Sequence, residues 1–70
     1  MNVEILKDDL KRWGEVIITT GSETFEIHSG DNVQFDTENN LIRLSAPDAE
    51  YIICGNHIGF VKKHFGHKVQ

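Results

Sequence analysis

Residues 10–28 read Leu10-Lys11-Arg12-Trp13-Gly14-Glu15-Val16-Ile17-Ile18-Thr19-Thr20-Gly21-Ser22-Glu23-Thr24-Phe25-Glu26-Ile27-His28, and their apolar period changes at Gly14. Upstream, Val3, Leu6, Leu10 and Trp13 recur at steps of three, four and three, which is one face of a helix. Asn2 can cap the start of that helix. Glu4 sits in its first turn, and Lys11 and Arg12 in its last, as the helix dipole favours. Gly14 stands where a left-handed residue commonly ends a helix, so a helix is predicted over residues 3–13. Downstream the period is two. Residues 15–20 form a strand candidate, Gly21-Ser22 suits a two-residue hairpin turn, and Phe25 and Ile27 alternate with Thr24, Glu26 and His28.

The alternation continues to the C-terminal side. Ser29-Gly30-Asp31-Asn32 is a cluster of turn formers, followed by a short strand carrying Val33 and Phe35. Thr37-Glu38-Asn39-Asn40 is the next turn and Leu41-Ile42-Arg43-Leu44 the fourth strand. Pro47 then interrupts, since proline cannot donate to a ladder. Residues 49–54 make a fifth strand. Its run Tyr51-Ile52-Ile53-Cys54 is apolar on both faces, which suggests a central position or one under a helix. Beyond it, Asn56 can cap a helix over residues 57–65, with Ile58, Val61 and Phe65 on one face. Lys62, Lys63 and His64 would occupy its last turn and Gly66 its end. The rival is a sixth strand with Ile58 and Phe60 inward; the caps and closing cations favour the helix. Connections of two to four residues make neighbouring strands antiparallel. The fold predicted is therefore α+β: an N-terminal helix, a five-stranded antiparallel meander and a short C-terminal helix. Strong twist could roll such a sheet into a small open barrel.

Composition agrees with a small folded unit. Leu, Ile, Val and Phe account for 21 of the 70 residues, which argues against disorder, and residues 1–70 read as one domain. Val, Ile and Thr total 17 while alanine occurs only at Ala46 and Ala49, a bias toward strand. No run approaches the roughly 18 apolar residues of a membrane span, and the N-terminal stretch has no apolar signal core. Cys54 is the one cysteine, so no intrachain disulfide can form, and a reducing, cytoplasmic setting is the expectation. So short a chain has little stability to spare. That makes a second copy of the chain worth expecting, as a homodimer.

Charge is divided along the chain. Residues 15–50 hold eight carboxylates against the single cation Arg43, whereas residues 51–70 hold Lys62, Lys63 and Lys68 and no acid. The first 14 residues balance, giving the net charge of −4. An acidic sheet argues against nucleic acid as partner. The cationic, aromatic-bearing stretch Lys62, Lys63, Phe65 and Lys68 is the candidate binding surface, and a protein the expected partner.

Motifs for chemistry are sparse. Cys54-x-x-His57 and His64-x-x-His67 offer four nitrogen and sulfur ligands of zinc-binding type. The six residues between the pairs are fewer than in finger patterns, so no structural zinc and no cofactor is expected. No nucleophile elbow surrounds Ser22, Ser29 or Ser45, and the glycines form no phosphate-binding loop. A Cys54–His57 nucleophile is disfavoured because three residues along a strand place the side chains on opposite faces. The reading is thus a non-catalytic protein-interaction or regulatory module.

The order of one helix and five short strands resembles Sm-like and other SH3-like small barrels, some of which bind RNA as rings. The stretch from Tyr51 through Cys54, Gly55, Asn56 and His57 to Phe60 is similar to a strand-turn-strand of that type. The resemblance implies the alternative function, a small barrel that binds RNA or DNA.

Overall fold

A computed structural model of the protein describes residues 1–64. The helix α1 spans Val3–Trp13, as the spacing predicts. The Asn2 side chain accepts a hydrogen bond from the Glu4 N–H at 2.8 Å. At the other end Gly14 adopts φ 81° and donates its N–H to the Leu10 carbonyl at 2.9 Å. That backbone angle is open to glycine at no steric cost. Among the described residues, no helix is long and apolar enough to cross a membrane.

Six strands follow: β1 (Glu15–Thr20), β2 (Glu23–His28), β3 (Asn32–Asp36), β4 (Leu41–Ser45), β5 (Glu50–Cys54) and β6 (Ile58–Lys62). They form two three-stranded antiparallel sheets, ordered β2-β1-β6 and β3-β4-β5. This corrects the single five-stranded meander and the C-terminal helix.

Two local causes explain the difference. The chain does not fold β3 back onto β2. At the turn between them the Asp31 carboxylate accepts the His28 N–H at 2.8 Å, and the Asp31 N–H donates to the His28 carbonyl at 3.0 Å. Beyond this turn β3 pairs with β4 in the second sheet, and the second flank of β1 is taken by β6.

The second cause lies in β6 itself. Its register against β1 runs Ile18↔Val61, Thr19↔Phe60 and then Thr20↔Ile58, so Gly59 is an extra, bulged residue. The bulge restores the parity that an odd spacing would break. Ile58 is buried and Val61 half-buried, both packed into the core, while Phe60 faces out. A spacing of three, read as helical, is here a strand with one residue inserted. A turn of 3-10 helix, Gly55–His57, replaces the expected helix start.

The core lies between the helix and the sheets. Val3, Leu6 and Leu10 of α1 meet Val16 and Ile18 of β1, Ile27 of β2, Ile42 and Leu44 of β4, Ile53 of β5 and Ile58 of β6. The fifth strand is not central. It is an edge, with Ile53 buried and Ile52 54% exposed. Pro47 sits in the turn between β4 and β5, closed by the Ala46 N–H on the Ala49 carbonyl at 2.8 Å, where no ladder donor is needed.

Candidate functional site

The outer face of the β2-β1-β6 sheet carries a row of polar side chains, one from each strand or its end. Val16 and Ile18 point to the core, so Glu15, Ile17 and Thr19 point outward. Register places His28 directly across from Glu15, and Glu26 across from Ile17. On the other flank Lys62 faces Ile17, and His64 follows two residues on. Glu15 is only 2% exposed although it lies on this outer face. His28 Nε2 lies 3.2 Å from Glu15 Oε2 and 3.1 Å from Glu26 Oε1. His64 Nδ1 lies 2.9 Å from the second oxygen of Glu15, Oε1. A carboxylate withdrawn from water needs such charged or hydrogen-bonding company.

A second polar assembly ties the chain's two halves together. The Asn40 side chain accepts the Val3 N–H at 2.9 Å and donates to Asn56 Oδ1 at 3.1 Å. Its carbonyl accepts the Gly55 N–H at 2.8 Å, and the Met1 nitrogen donates to the Gly55 carbonyl at 3.0 Å. Asn40 holds φ 57°, a left-handed conformation that asparagine tolerates better than most residues. Met1, Asn2, Thr37, Asn40 and Asn56 line a shallow cleft of about 340 Å³.

The turn before Asn40 is held by Asp36, whose carboxylate accepts the Asn39 side-chain amide at 3.0 Å and the Asn39 N–H at 3.1 Å. These bonds, the side-chain one first, hold the Asp36 carboxyl below the ordinary aspartate range. A depressed carboxyl stabilises the fold above its unfolded-state value, and that contribution is lost as pH falls through its folded value. Asn39→Ala should therefore move Asp36 titration upward, toward the ordinary range, in a carboxyl-detected NMR titration. An unchanged titration would contradict these bonds.

A third feature is an apolar cleft of about 170 Å³ beside β5, bordered by Thr20, Phe25, Tyr51, Ile52, Ile53, Cys54 and His57. Phe25 and Tyr51 meet edge to face with centroids 5.4 Å apart. The Tyr51 hydroxyl donates to Asp48 at 2.8 Å, which pushes its pKa above the ordinary tyrosine range.

No family model, no curated protein and no solved structure matches this chain.

The residues singled out in the sequence are dispersed. Lys62 is exposed on β6. Lys63 forms an ion pair with Asp9 at 3.3 Å and stands 5.2 Å over the Trp13 ring, so it fastens the end of β6 to α1. Phe65, His67 and Lys68 lie outside the described residues. Exposed Cys54 and His57 border the same apolar cleft, brought together by the 3-10 turn, whereas His64 joins Glu15 on the outer face. Cys54, His57 and His64, three of the four residues with zinc-binding spacing, are therefore not assembled as one site. Glu15, Glu26, His28, Asn40 and Asn56 escaped the sequence reading. For the first three a signal existed: a two-residue turn at Gly21-Ser22 makes residue numbers across the hairpin sum to 43, which pairs Glu15 with His28.

Proposed function

We propose that the protein is a non-catalytic interaction module that associates with further copies of itself through its open strand edges. One observation carries the reading: the two edges formed by β5 and β6 each present a large apolar side chain to solvent, Ile52 at 54% and Phe60 at 59% exposure. Edges that have no partner strand among the described residues, flanked by such side chains, invite strand addition. A two-fold dimer would use one of these edges twice and leave the other uncovered. A head-to-tail contact, β5 of one copy against β6 of the next, covers both edges of every copy and closes into a ring if the rotation allows. The apolar cleft beside β5 offers a seat for an aromatic side chain such as the neighbour's Phe60.

Sedimentation velocity from about 1 to 100 µM tests this. The wild type should form a discrete species larger than the monomer, and Phe60→Asp and Ile52→Asp should each shift it toward monomer. A species larger than a dimer supports the head-to-tail arrangement, and a dimer supports two-fold use of one edge. A wild-type monomer at the highest concentration would overturn the reading.

A second reading, an RNA-binding module, is favoured by one observation. The side-chain N–H groups of Asn2 and Asn56 beside the shallow cleft are donors of the kind that read base edges. Against it, Lys63 is engaged with Asp9 and Trp13. Binding of a single-stranded oligonucleotide that survives roughly 150 mM salt would make this the first reading.

A further inference from the structure

We propose that Glu15, Glu26 and His28 form a binding site for a divalent transition-metal ion, zinc foremost, on the outer face of the β2-β1-β6 sheet, with His64 orienting Glu15. One oxygen from each carboxylate and one imidazole nitrogen lie within 4.8 Å of one another. Both carboxylate oxygens face the same atom, His28 Nε2, at 3.1 and 3.2 Å. A single ring N–H cannot serve two carboxylates well, and both distances are at or beyond the usual limit for a strong charge-assisted bond. They are close to a different spacing. Ligand atoms about 2.0–2.1 Å from a tetrahedral zinc lie about 3.4 Å from each other. An ion at the centre of these three atoms therefore requires shifts of only tenths of an ångström along two nitrogen–oxygen edges.

The surroundings suit the same chemistry. Coordination through Nε2 leaves the proton on Nδ1, which lies 3.8 Å from Asp31 Oδ2, an electrostatic approach longer than a hydrogen bond. Asp31 is itself fixed by the His28 N–H. A carboxylate on the far side of a ligating histidine is the usual outer partner in metal sites. Glu15 is oriented likewise, because His64 holds its other oxygen at 2.9 Å. Two carboxylates match the charge of a divalent ion, and the half-exposed Glu26 and His28 leave a route of entry. An imidazole among the ligands favours zinc or cobalt over magnesium and calcium, which take oxygen ligands in larger shells.

The test is calorimetric titration of the full chain, free of any histidine tag, with zinc, cobalt and magnesium, together with the visible absorption of bound cobalt. Glu26→Gln and His28→Ala are the variants, since both side chains stand outside the core and circular dichroism can verify the fold. The wild type should bind zinc and cobalt but not magnesium, with one ion per chain. Each variant should weaken zinc more than about tenfold, and His64→Ala should weaken it less. Zinc held no tighter than about 1 mM would overturn the proposal. So would affinity unchanged in either variant, or affinity lost instead in Cys54→Ser or His57→Ala.

Discussion

Replacing Ile18 by alanine should cost about 2–5 kcal/mol of stability, the usual range for truncating a fully buried isoleucine. The side chain has no exposed surface, and its strand is the middle one of its sheet, paired on both sides. Ile18 lies across from Phe25 on β2 and Val61 on β6, so the cavity left by truncation would open where three strands meet the helix. Neighbours held in two ladders have little freedom to collapse into it, which places the loss in the upper part of the range. Ile5→Ala on the exposed face of α1 is the control and should change stability by less than about 0.5 kcal/mol. Urea unfolding at constant slope separates the two. Equal losses would mean that β1 is not the centre of its sheet.

The second large effect concerns Gly55. A Cβ at this position would stand 2.6 Å from the Met1 carbonyl oxygen and 2.6 Å from Asn40 Nδ2. The first is backbone, tied down by the start of α1, and the second is held between Val3 and Asn56. Neither can yield without breaking a hydrogen bond. Gly55→Ala should therefore cost about 1–3 kcal/mol, as overpacking does elsewhere, and should shift the amide resonances of residues 1–3. At Gly30 an added Cβ meets nothing within 4 Å, so Gly30→Ala is the matched control. If the two variants melt together, the junction between residues 1–3, Asn40 and Gly55 does not carry load.

The helix was legible from residue types alone, because its caps and apolar steps lie within 13 residues of each other. The strands up to Cys54 are legible for the same reason, since each alternates locally between turn formers. Legibility ended where pairing became non-local. That β3 leaves β2 for β4, and that β6 pairs with β1 from 38 to 45 residues away, is not a matter of period. The C-terminal segment misled for a specific reason: a bulge at Gly59 gives a strand the three-residue spacing of a helix. Among candidate site residues, the lysines form a cationic stretch in the sequence, yet Asp9 and Trp13 that engage Lys63 come from the opposite end of the chain. The Glu15–His28 pairing was within reach of hairpin arithmetic, while the approach of His64 to Glu15 required knowledge that β6 pairs with β1.

Amide hydrogen exchange measured as a function of protein concentration tests the association through open edges most directly. Among the described residues Glu50–Cys54 and Ile58–Lys62 are each paired on one flank only, so their outward amides, apart from that of Ile58, which donates to the Gly55 carbonyl, are the ones an added strand would cover. Their exchange should slow as concentration rises, on both strands together, while the outer edges of β2 and β3 keep their rates. Exchange that is independent of concentration, or protection that arises on β2 or β3 instead, would contradict the account.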